Sequence, residues 1–270
     1  MTAIAVTASG QFIPRDVFAQ ESTAEAGLLN SDVCLLTPEV TEGPFYFDPK
    51  LVRPDIADGK QGVPITLLLQ IVDARCKPLN GARVDIWHCD ATGVYSNYPG
   101  QGDDSEHRIS TEGQSFLRGT QLADQRGVVH FQSIYPGWYP GRTTHIHFKV
   151  YIDSKNVLTG QIFFPDALSE YIYQNVPPYS SRKQPRDTLN NDDSIATEAT
   201  RTSYANVKEE TDHYLVSMII GANPNSISHY AEGMGRPPGP PPPGGSPPSV
   251  DKNRTSQDRL DAIVPRTKPP

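Results

Sequence analysis

The chain has 270 residues, and its 24 Lys and Arg against 31 Asp and Glu give a formal charge of −7. A net negative charge gives no electrostatic support for nucleic-acid binding, whereas small neutral or anionic partners are compatible with it. No stretch approaches the roughly 18–20 consecutive apolar residues that a membrane span needs. The sequence therefore predicts no membrane-spanning segment.

The N-terminal stretch gives two readings of the protein's location. Residues 1–30 are polar, small and aperiodic, which indicates a flexible arm. Residues 1–8 are weakly apolar and lack a basic region, while Val17-Phe18-Ala19 fits the small-residue pattern before a signal-peptidase cut. We expect the remnant of a leader, and with it export to the periplasm or the extracellular space. A flexible cytoplasmic arm is the alternative.

Six short segments carry the β-branched residues and two-residue alternation that predict strands. They are residues 65–72, 83–87, 128–134, 145–151, 158–164 and 214–220. Gly-, Pro- and Asp-rich stretches separate them, and residues 166–174 form the single candidate helix. Short strands interrupted this regularly favour an all-β fold, a two-sheet sandwich with long loops over residues 31–223.

Apolar periodicity stops after residue 223, so residues 224–270 are predicted to form a Pro-rich extended tail. Of the 26 prolines in the chain, 11 lie in residues 236–270. Residues 236–248 (RPPGPPPPGGSPP) can form only polyproline II or coil. We expect a solvated extension, with partner binding as the alternative.

The three cysteines are an odd number, so at least one thiol has no partner within the chain. Cys76 and Cys89 each lie near the end of a predicted strand, and these strands follow one another in the sequence. In an exported protein a Cys76–Cys89 disulfide is therefore expected. Three buried, reduced cysteines are the alternative.

The predicted strand at residues 145–151 begins with His145 and His147, whose side chains share a face because they are two residues apart. Two such imidazoles can bind one metal ion, although an isolated H-x-H pair also occurs as ordinary hydrogen-bonded histidines. Tyr139 precedes the pair by six residues, across a turn that could fold its phenol back over the strand. Tyrosinate is a hard anionic ligand that suits Fe(III) better than zinc.

A second segment runs from the predicted strand at residues 83–87 through a glycine-containing turn to Tyr95. Its motif I-W-H-C-D-A-T-G-V-Y-S and the later P-G-W-Y-P-G-R-T-T-H-I-H together resemble the intradiol ring-cleavage dioxygenases. These are the non-haem Fe(III) enzymes that include catechol and protocatechuate dioxygenases. The upstream T-E-G-P-F-Y is similar to the family's N-terminal signature, and the resemblance spans about residues 34–220 in the family's order.

The resemblance implies a metal site with four protein ligands and one Fe(III) ion per chain. The ligands would be Tyr95, Tyr139, His145 and His147. It also implies residues that act on the bound substrate and residues that line its pocket. The residues that would act on the substrate are Arg142, Gln161 and Tyr139. Tyr139 would serve first as a metal ligand and then as a proton acceptor. The residues that would line the pocket are Thr41, Pro44, Tyr46 and Trp138.

The implied reaction is cleavage of a catechol-type aromatic between its two hydroxylated carbons, with O₂ as the second substrate. The products are of the cis,cis-muconate type, and the role is catabolism of aromatic compounds. The chain lacks the long N-terminal helical segment of catechol 1,2-dioxygenases and is more similar to the short, protocatechuate-type and exported members. We expect a broad range of catechols, and a homo-oligomer is compatible with these features.

Two other classes of protein stay open at this point. A zinc hydrolase or a cupin-like Fe(II) enzyme also uses an H-x-H strand, but needs a third nitrogen or carboxylate ligand. The histidines that could supply it are His88, His107, His130, His213 and His229. A β-sandwich binding module without catalytic activity, carried on a Pro-rich linker, is the second alternative. Neither explains both tyrosine motifs.

Overall fold

A computed structural model describes residues 34–102, 108–230 and 255–263. The strands are β1 (Pro64–Val72), β2 (Arg83–Trp87), β3 (Arg118–Leu122), β4 (Val128–Ile134), β5 (His145–Ile152), β6 (Lys155–Phe163), β7 (Asn206–Glu209) and β8 (Tyr214–Gly221). The helices are α1 (Asp166–Asn175), α2 (Ser194–Glu198) and α3 (Ser256–Ile263), with 3₁₀ turns at Tyr179–Ser181, Asn190–Asp192 and Arg201–Ser203. Residues 1–30 and 236–248, predicted as an arm and an extended segment, lie outside the described residues.

The strands form two four-stranded sheets, which confirms the expected all-β sandwich with little helix. The first sheet has the order β4-β1-β8-β7, with β1 and β8 parallel and the other pairs antiparallel. The second sheet has the order β3-β2-β5-β6 and is antiparallel throughout. All six predicted strands and the predicted helix are present. Strands β3 and β7 were not predicted, because β3 (RGTQL) has no apolar alternation and β7 is a four-residue edge strand.

The main hydrophobic core lies between the two sheets and is built by alternate residues of the central strands. Leu67 and Leu69 of β1 contribute from the first sheet, and Ile146, Phe148 and Val150 of β5 contribute from the second. Side chains of this size each stabilise the fold by about 1.5–3 kcal/mol on full burial. Because the even-numbered residues of β5 point into this core, the odd-numbered ones point to the opposite face of the second sheet.

That opposite face is polar, yet it is buried. His147, Lys149 and Gln161 are each no more than 1% exposed. Residues 39–48, named here the covering segment, lie across them. The backbone N–H of Val40 donates to the Thr159 carbonyl at 3.1 Å, and Glu42 forms an ion pair with Lys149. Buried polar groups in a β-sandwich need partners, and this face is where the candidate site is built.

The expected Cys76–Cys89 disulfide is wrong. Cys34 and Cys76 form the disulfide, and Cys89 is a buried free thiol. The expectation assumed that β1 and β2 are neighbours in space because they follow one another in sequence. They belong to different sheets: β1 pairs with β4 and β8, whereas β2 pairs with β3 and β5.

Part of the stretch predicted as a tail packs against the domain. The backbone N–H of Ser228 donates to the Asn156 carbonyl at the start of β6. Helix α3 is anchored by Arg259, which is 3% exposed and donates from Nε to the buried Glu170 carboxylate of α1 at 2.8 Å. Apolar periodicity did not signal these contacts, because they are carried by polar side chains and the backbone. Within the described ranges, no helix has the length and apolar character to cross a bilayer.

Candidate metal centre and active site

Strand β5 fixes the two histidines side by side on the buried polar face. In the sheet register His147 lies directly opposite Trp87 of β2 on one side and Gln161 of β6 on the other. The His147 ring stacks on the Trp87 indole, with 4.8 Å between centroids and 7° between planes. Gly43 of the covering segment has φ +71°, and a Cβ there would lie 3.2 Å from His147 Cε1. Trp87 and Gly43 therefore hold the ring in place.

The tautomer of His145 follows from its hydrogen bond. Its Nδ1 lies 2.7 Å from the Thr143 carbonyl oxygen, which can only accept, so Nδ1 carries the proton. Nε2 then has a free lone pair. His147 Nε2 lies 3.1 Å from it. Among the described residues no hydrogen-bond partner meets His147 Nδ1.

Two turns bring the tyrosines to these nitrogens. Asp90 Oδ1 accepts the backbone N–H groups of Thr92 and Val94, which closes the turn after β2. Gly93 has φ +84° and lies against the Trp138 carbonyl oxygen, where any Cβ would collide, so the turn after β2 packs on the turn that carries Tyr139. Only glycine permits this approach, which sets Tyr95 beside Tyr139.

The four side chains converge on one point. The Tyr95 hydroxyl is 3.3 Å and the Tyr139 hydroxyl 3.1 Å from His145 Nε2. Ligand atoms held at about 2.1 Å from one metal ion lie roughly 3 Å apart, so the observed spacings fit a shared ion. Two nitrogen and two phenol-oxygen donors suit iron better than the sulfur-preferring metals.

The electrostatics of the four side chains also fit a cation. Burial lowers the pKa of both His145 and His147 well below the ordinary value, and the Arg142 charge lowers both further. Burial raises the pKa of Tyr95 and Tyr139, and the Arg142 charge opposes both rises. The imidazoles are therefore neutral donors, and the buried phenols need a bound cation in order to ionise at neutral pH.

Arg142 and Gln161 lie together at the edge of this cluster. Arg142 Nη2 donates to Gln161 Oε1 at 2.6 Å, and its Nη1 lies 3.5 Å from the Tyr139 hydroxyl. Gln161 Nε2 donates to the Thr41 carbonyl at 2.9 Å. The Nη1 atom of Arg142 thus faces the Tyr139 hydroxyl, and the Thr41 carbonyl of the covering segment fixes the side-chain amide of Gln161.

The other residues predicted for the pocket are placed differently from one another. Pro44 is exposed. The Tyr46 ring packs on Trp87, 4.8 Å between centroids, and its hydroxyl donates to Asp85 at 3.0 Å, away from the four converging side chains. The Trp138 indole is 3% exposed within the main core. Thr41 is the member of this group that forms a hydrogen bond with Gln161.

Sequence reasoning missed Phe45. Its ring stacks on Tyr95, 4.4 Å between centroids and 15° between planes, and meets the Tyr139 ring edge-on at 6.3 Å. Its neighbour Tyr46 packs on Trp87 instead, so the two adjacent rings have different partners. Strand alternation offered no signal here, because Pro44 and Phe45 form a turn.

The other described histidines have their own partners. His88 lies between the Cys89 carbonyl and the Ser133 hydroxyl, 2.8 Å from each, and burial lowers its pKa to about 4. His213 pairs with Asp212 and His229 with Glu39, while His130 is exposed and His107 is outside the described residues. The described part of the chain contains no group of three or more His, Cys, Asp or Glu able to hold a metal. A zinc or cupin-type site needs such a group.

Comparison with known proteins identifies a family and similar folds. A family model described as "Dioxygenase" matches residues 41–204. An intradiol ring-cleavage dioxygenase from Tetranychus urticae is 33% identical, covers 73% of this chain and 98% of its own, and superposes with a TM-score of 0.66. The dioxygenase domain of a carbohydrate-binding fusion protein from Streptomyces sp. SirexAA-E, 24% identical, shares the fold over 72% of this chain and 99% of its own, with a TM-score of 0.52.

Two curated relatives match a smaller share of the chain. Catechol 1,2-dioxygenase of Acinetobacter baylyi is 31% identical over 47% of this chain and 45% of its own length. Catechol 1,2-dioxygenase of Candida albicans is 26% identical over 55% of this chain and 54% of its own. The chain thus spans about half the length of these relatives. The sandwich and the match over residues 41–204 define a dioxygenase. The chain belongs to the intradiol ring-cleavage dioxygenase family, which typically uses non-haem Fe(III).

Proposed function

We propose that this protein is a non-haem Fe(III) intradiol dioxygenase that cleaves catechol-type aromatics between their two hydroxylated carbons with O₂. The products would be of the cis,cis-muconate type, and the reaction would serve the catabolism of aromatic compounds. The observation that carries the proposal is the convergence of Tyr95, Tyr139 and His147 on His145 Nε2, with spacings of 3.1–3.3 Å. A shared metal ion accounts for two neutral imidazoles and two buried phenols at one point.

One Fe(III) ion per chain would be held by Tyr95, Tyr139, His145 and His147. When bound, the ion would activate a chelated catecholate toward O₂. The protein's own contribution begins with rigidity. Trp87 fixes the His147 ring, and the Thr143 carbonyl fixes both the ring and the tautomer of His145, so the two imidazoles are oriented before any ligand arrives.

Tyr139 is the candidate proton acceptor. A catechol must lose both hydroxyl protons to chelate a metal, and a phenolate at Tyr139 Oη can accept one of them. The Arg142 Nη1, at 3.5 Å, favours the ionised phenol before that transfer. Tyr95 lacks this contact and stacks on Phe45 instead, so the two tyrosines are chemically distinct. Tyr95 would accordingly be the tyrosine that holds the ion, and Tyr139 the one free to take a proton.

Arg142 and Gln161 support negative charge on the substrate ring. Cleavage between the hydroxylated carbons draws electron density onto a ring carbon, and a fixed guanidinium in a water-poor pocket stabilises such charge. Gln161 keeps the guanidinium in the plane set by their 2.6 Å hydrogen bond. Phe45 and Thr41 would then contact the flat substrate. Pro44, Tyr46 and Trp138 would lie around this pocket without contacting the substrate directly. We expect the range of catechols that the pocket accepts to be broad.

The test is the visible absorption spectrum of the purified protein, before and after anaerobic addition of catechol, protocatechuate and hydroxyquinol. Tyrosinate-to-Fe(III) charge transfer should make the protein red-brown, and each bound catechol should add a longer-wavelength band. In Tyr139→Phe the isolated protein should retain iron and a shifted band from Tyr95, with turnover slowed about 100-fold. A wild-type protein that stays colourless after iron reconstitution contradicts the proposal.

We also infer that the protein acts in an oxidising compartment, by export. The Cys34–Cys76 disulfide supports this, since such bonds persist outside the reducing cytosol. Alkylation of the denatured protein, isolated from its native source without reductant, should modify Cys89 alone. Modification of all three cysteines would contradict export and favour the cytoplasmic alternative.

A further inference from the structure

We propose that Asp193 is a positioning residue of the active site, acting by orienting the Arg142 guanidinium. The inference rests on the proposed function. Asp193 lies 51 residues beyond Arg142 and outside the motifs that carry the family resemblance. It would not contact the substrate.

The Asp193 carboxylate is fully engaged. The residue is 2% exposed. Its Oδ2 accepts from Arg142 Nε at 2.9 Å and from the Thr143 backbone N–H at 3.0 Å. Its Oδ1 accepts the backbone N–H groups of Ile195 and Ala196 at the start of α2. Because each oxygen has two donors, the carboxylate cannot rotate without breaking bonds on both sides.

These bonds decide where the guanidinium points. With Nε held by Asp193 and Nη2 held by Gln161, the planar group has two fixed edges. Its Nη1 corner is then the one directed at the Tyr139 hydroxyl. A rigid fork of this kind loses little conformational freedom when it binds an anion. Without Asp193 the guanidinium would turn about the Gln161 contact.

Asp193 is also held in place by contacts that do not involve Arg142. The residues just before it are bound to the turn between Tyr139 and His145, where Asp187 accepts a hydrogen bond from the Gly141 N–H at 3.0 Å. Asn190 also accepts from the Thr143 hydroxyl at 2.8 Å. These hydrogen bonds fix the backbone near Asp193, so its carboxylate is held in place before a substrate binds, as a preorganised site requires.

The experiment uses Asp193→Asn and Asp193→Ser in the iron-loaded full chain. Both retain an oxygen that can cap α2, and both remove the carboxylate that orients Arg142. We expect kcat to fall about 10- to 100-fold with iron content unchanged. Anaerobic affinity for 4-nitrocatechol, read from its absorption, should fall about 10-fold. Asp124→Asn, in the exposed β3–β4 turn, is the control and should change neither.

A double-mutant cycle separates positioning from a structural role. In an Arg142→Ala background, Asp193→Asn should have no further effect on kcat or on 4-nitrocatechol affinity, because residues acting as a unit are non-additive. Additive losses, unchanged binding and kcat in both single variants, or iron loss in proportion to activity would each overturn the role of Asp193. A wild-type protein that binds neither iron nor 4-nitrocatechol would instead overturn the proposed function, and this inference with it.

Discussion

Replacing His147 by alanine is expected to abolish iron binding and to lower catechol cleavage far more than about 100-fold, the upper range for residues that only support a ligand. The remaining donors would be one imidazole and two phenols. Without a cation those buried phenols stay protonated, because burial raises the pKa of both tyrosines. The loss of one histidine, and with it the iron, thus also leaves Tyr95 and Tyr139 uncharged.

The measurement is iron content by elemental analysis together with the charge-transfer band. His130→Ala is the matched control, since His130 is an exposed histidine on β4 of the other sheet. It should retain both iron and colour. An iron-replete and active His147→Ala protein would remove His147 from the metal centre.

Replacing Arg142 by alanine should lower kcat about 10²- to 10³-fold while most of the iron is retained, the usual effect of losing one charge-stabilising donor. The fold should also weaken by about 3–5 kcal/mol, because the buried Asp193 carboxylate loses its cation. Arg142→Lys keeps the charge but not the planar fork, so its kcat should recover only in part.

These variants are distinguished by measuring kcat, iron content and thermal unfolding on the same preparations. Arg126→Ala provides the control, because Arg126 pairs with Asp124 in an exposed turn. It should match the wild type in all three. Equal losses of iron and activity in Arg142→Ala would show that the residue maintains the structure of the site rather than acting on the substrate.

Alternation along the strands made much of this fold predictable. The pattern of β5 placed His145 and His147 on one face, and its apolar residues Ile146 and Phe148 do point into the core. Alternation does not indicate whether the polar face of the second sheet is exposed to water. Here the covering segment buries it, and the segment is held by contacts distant in sequence, such as the ion pair of Glu42 with Lys149.

Two of the features that escaped prediction also depend on contacts between residues distant in sequence. Asp193 is joined to Arg142 across 51 residues, and Cys34 to Cys76 across 42. Phe45 was missed for a different reason, because the signature motif singles out its neighbour Tyr46 and the local backbone direction decides which ring faces inward. Motifs identified the candidate ligands, but tertiary packing determines what surrounds them.

The interior position of β5 divides the candidate centre into two halves of different mobility. Strand β5 pairs with β6 from His145 onward and with β2 from His147 onward, so displacing this strand requires the opening of two hydrogen-bond ladders. Tyr95 and Tyr139 stand on turns, which open at lower free energy. We therefore expect any rearrangement that admits a substrate to occur in the turn that carries Tyr139, while the two histidines stay in place.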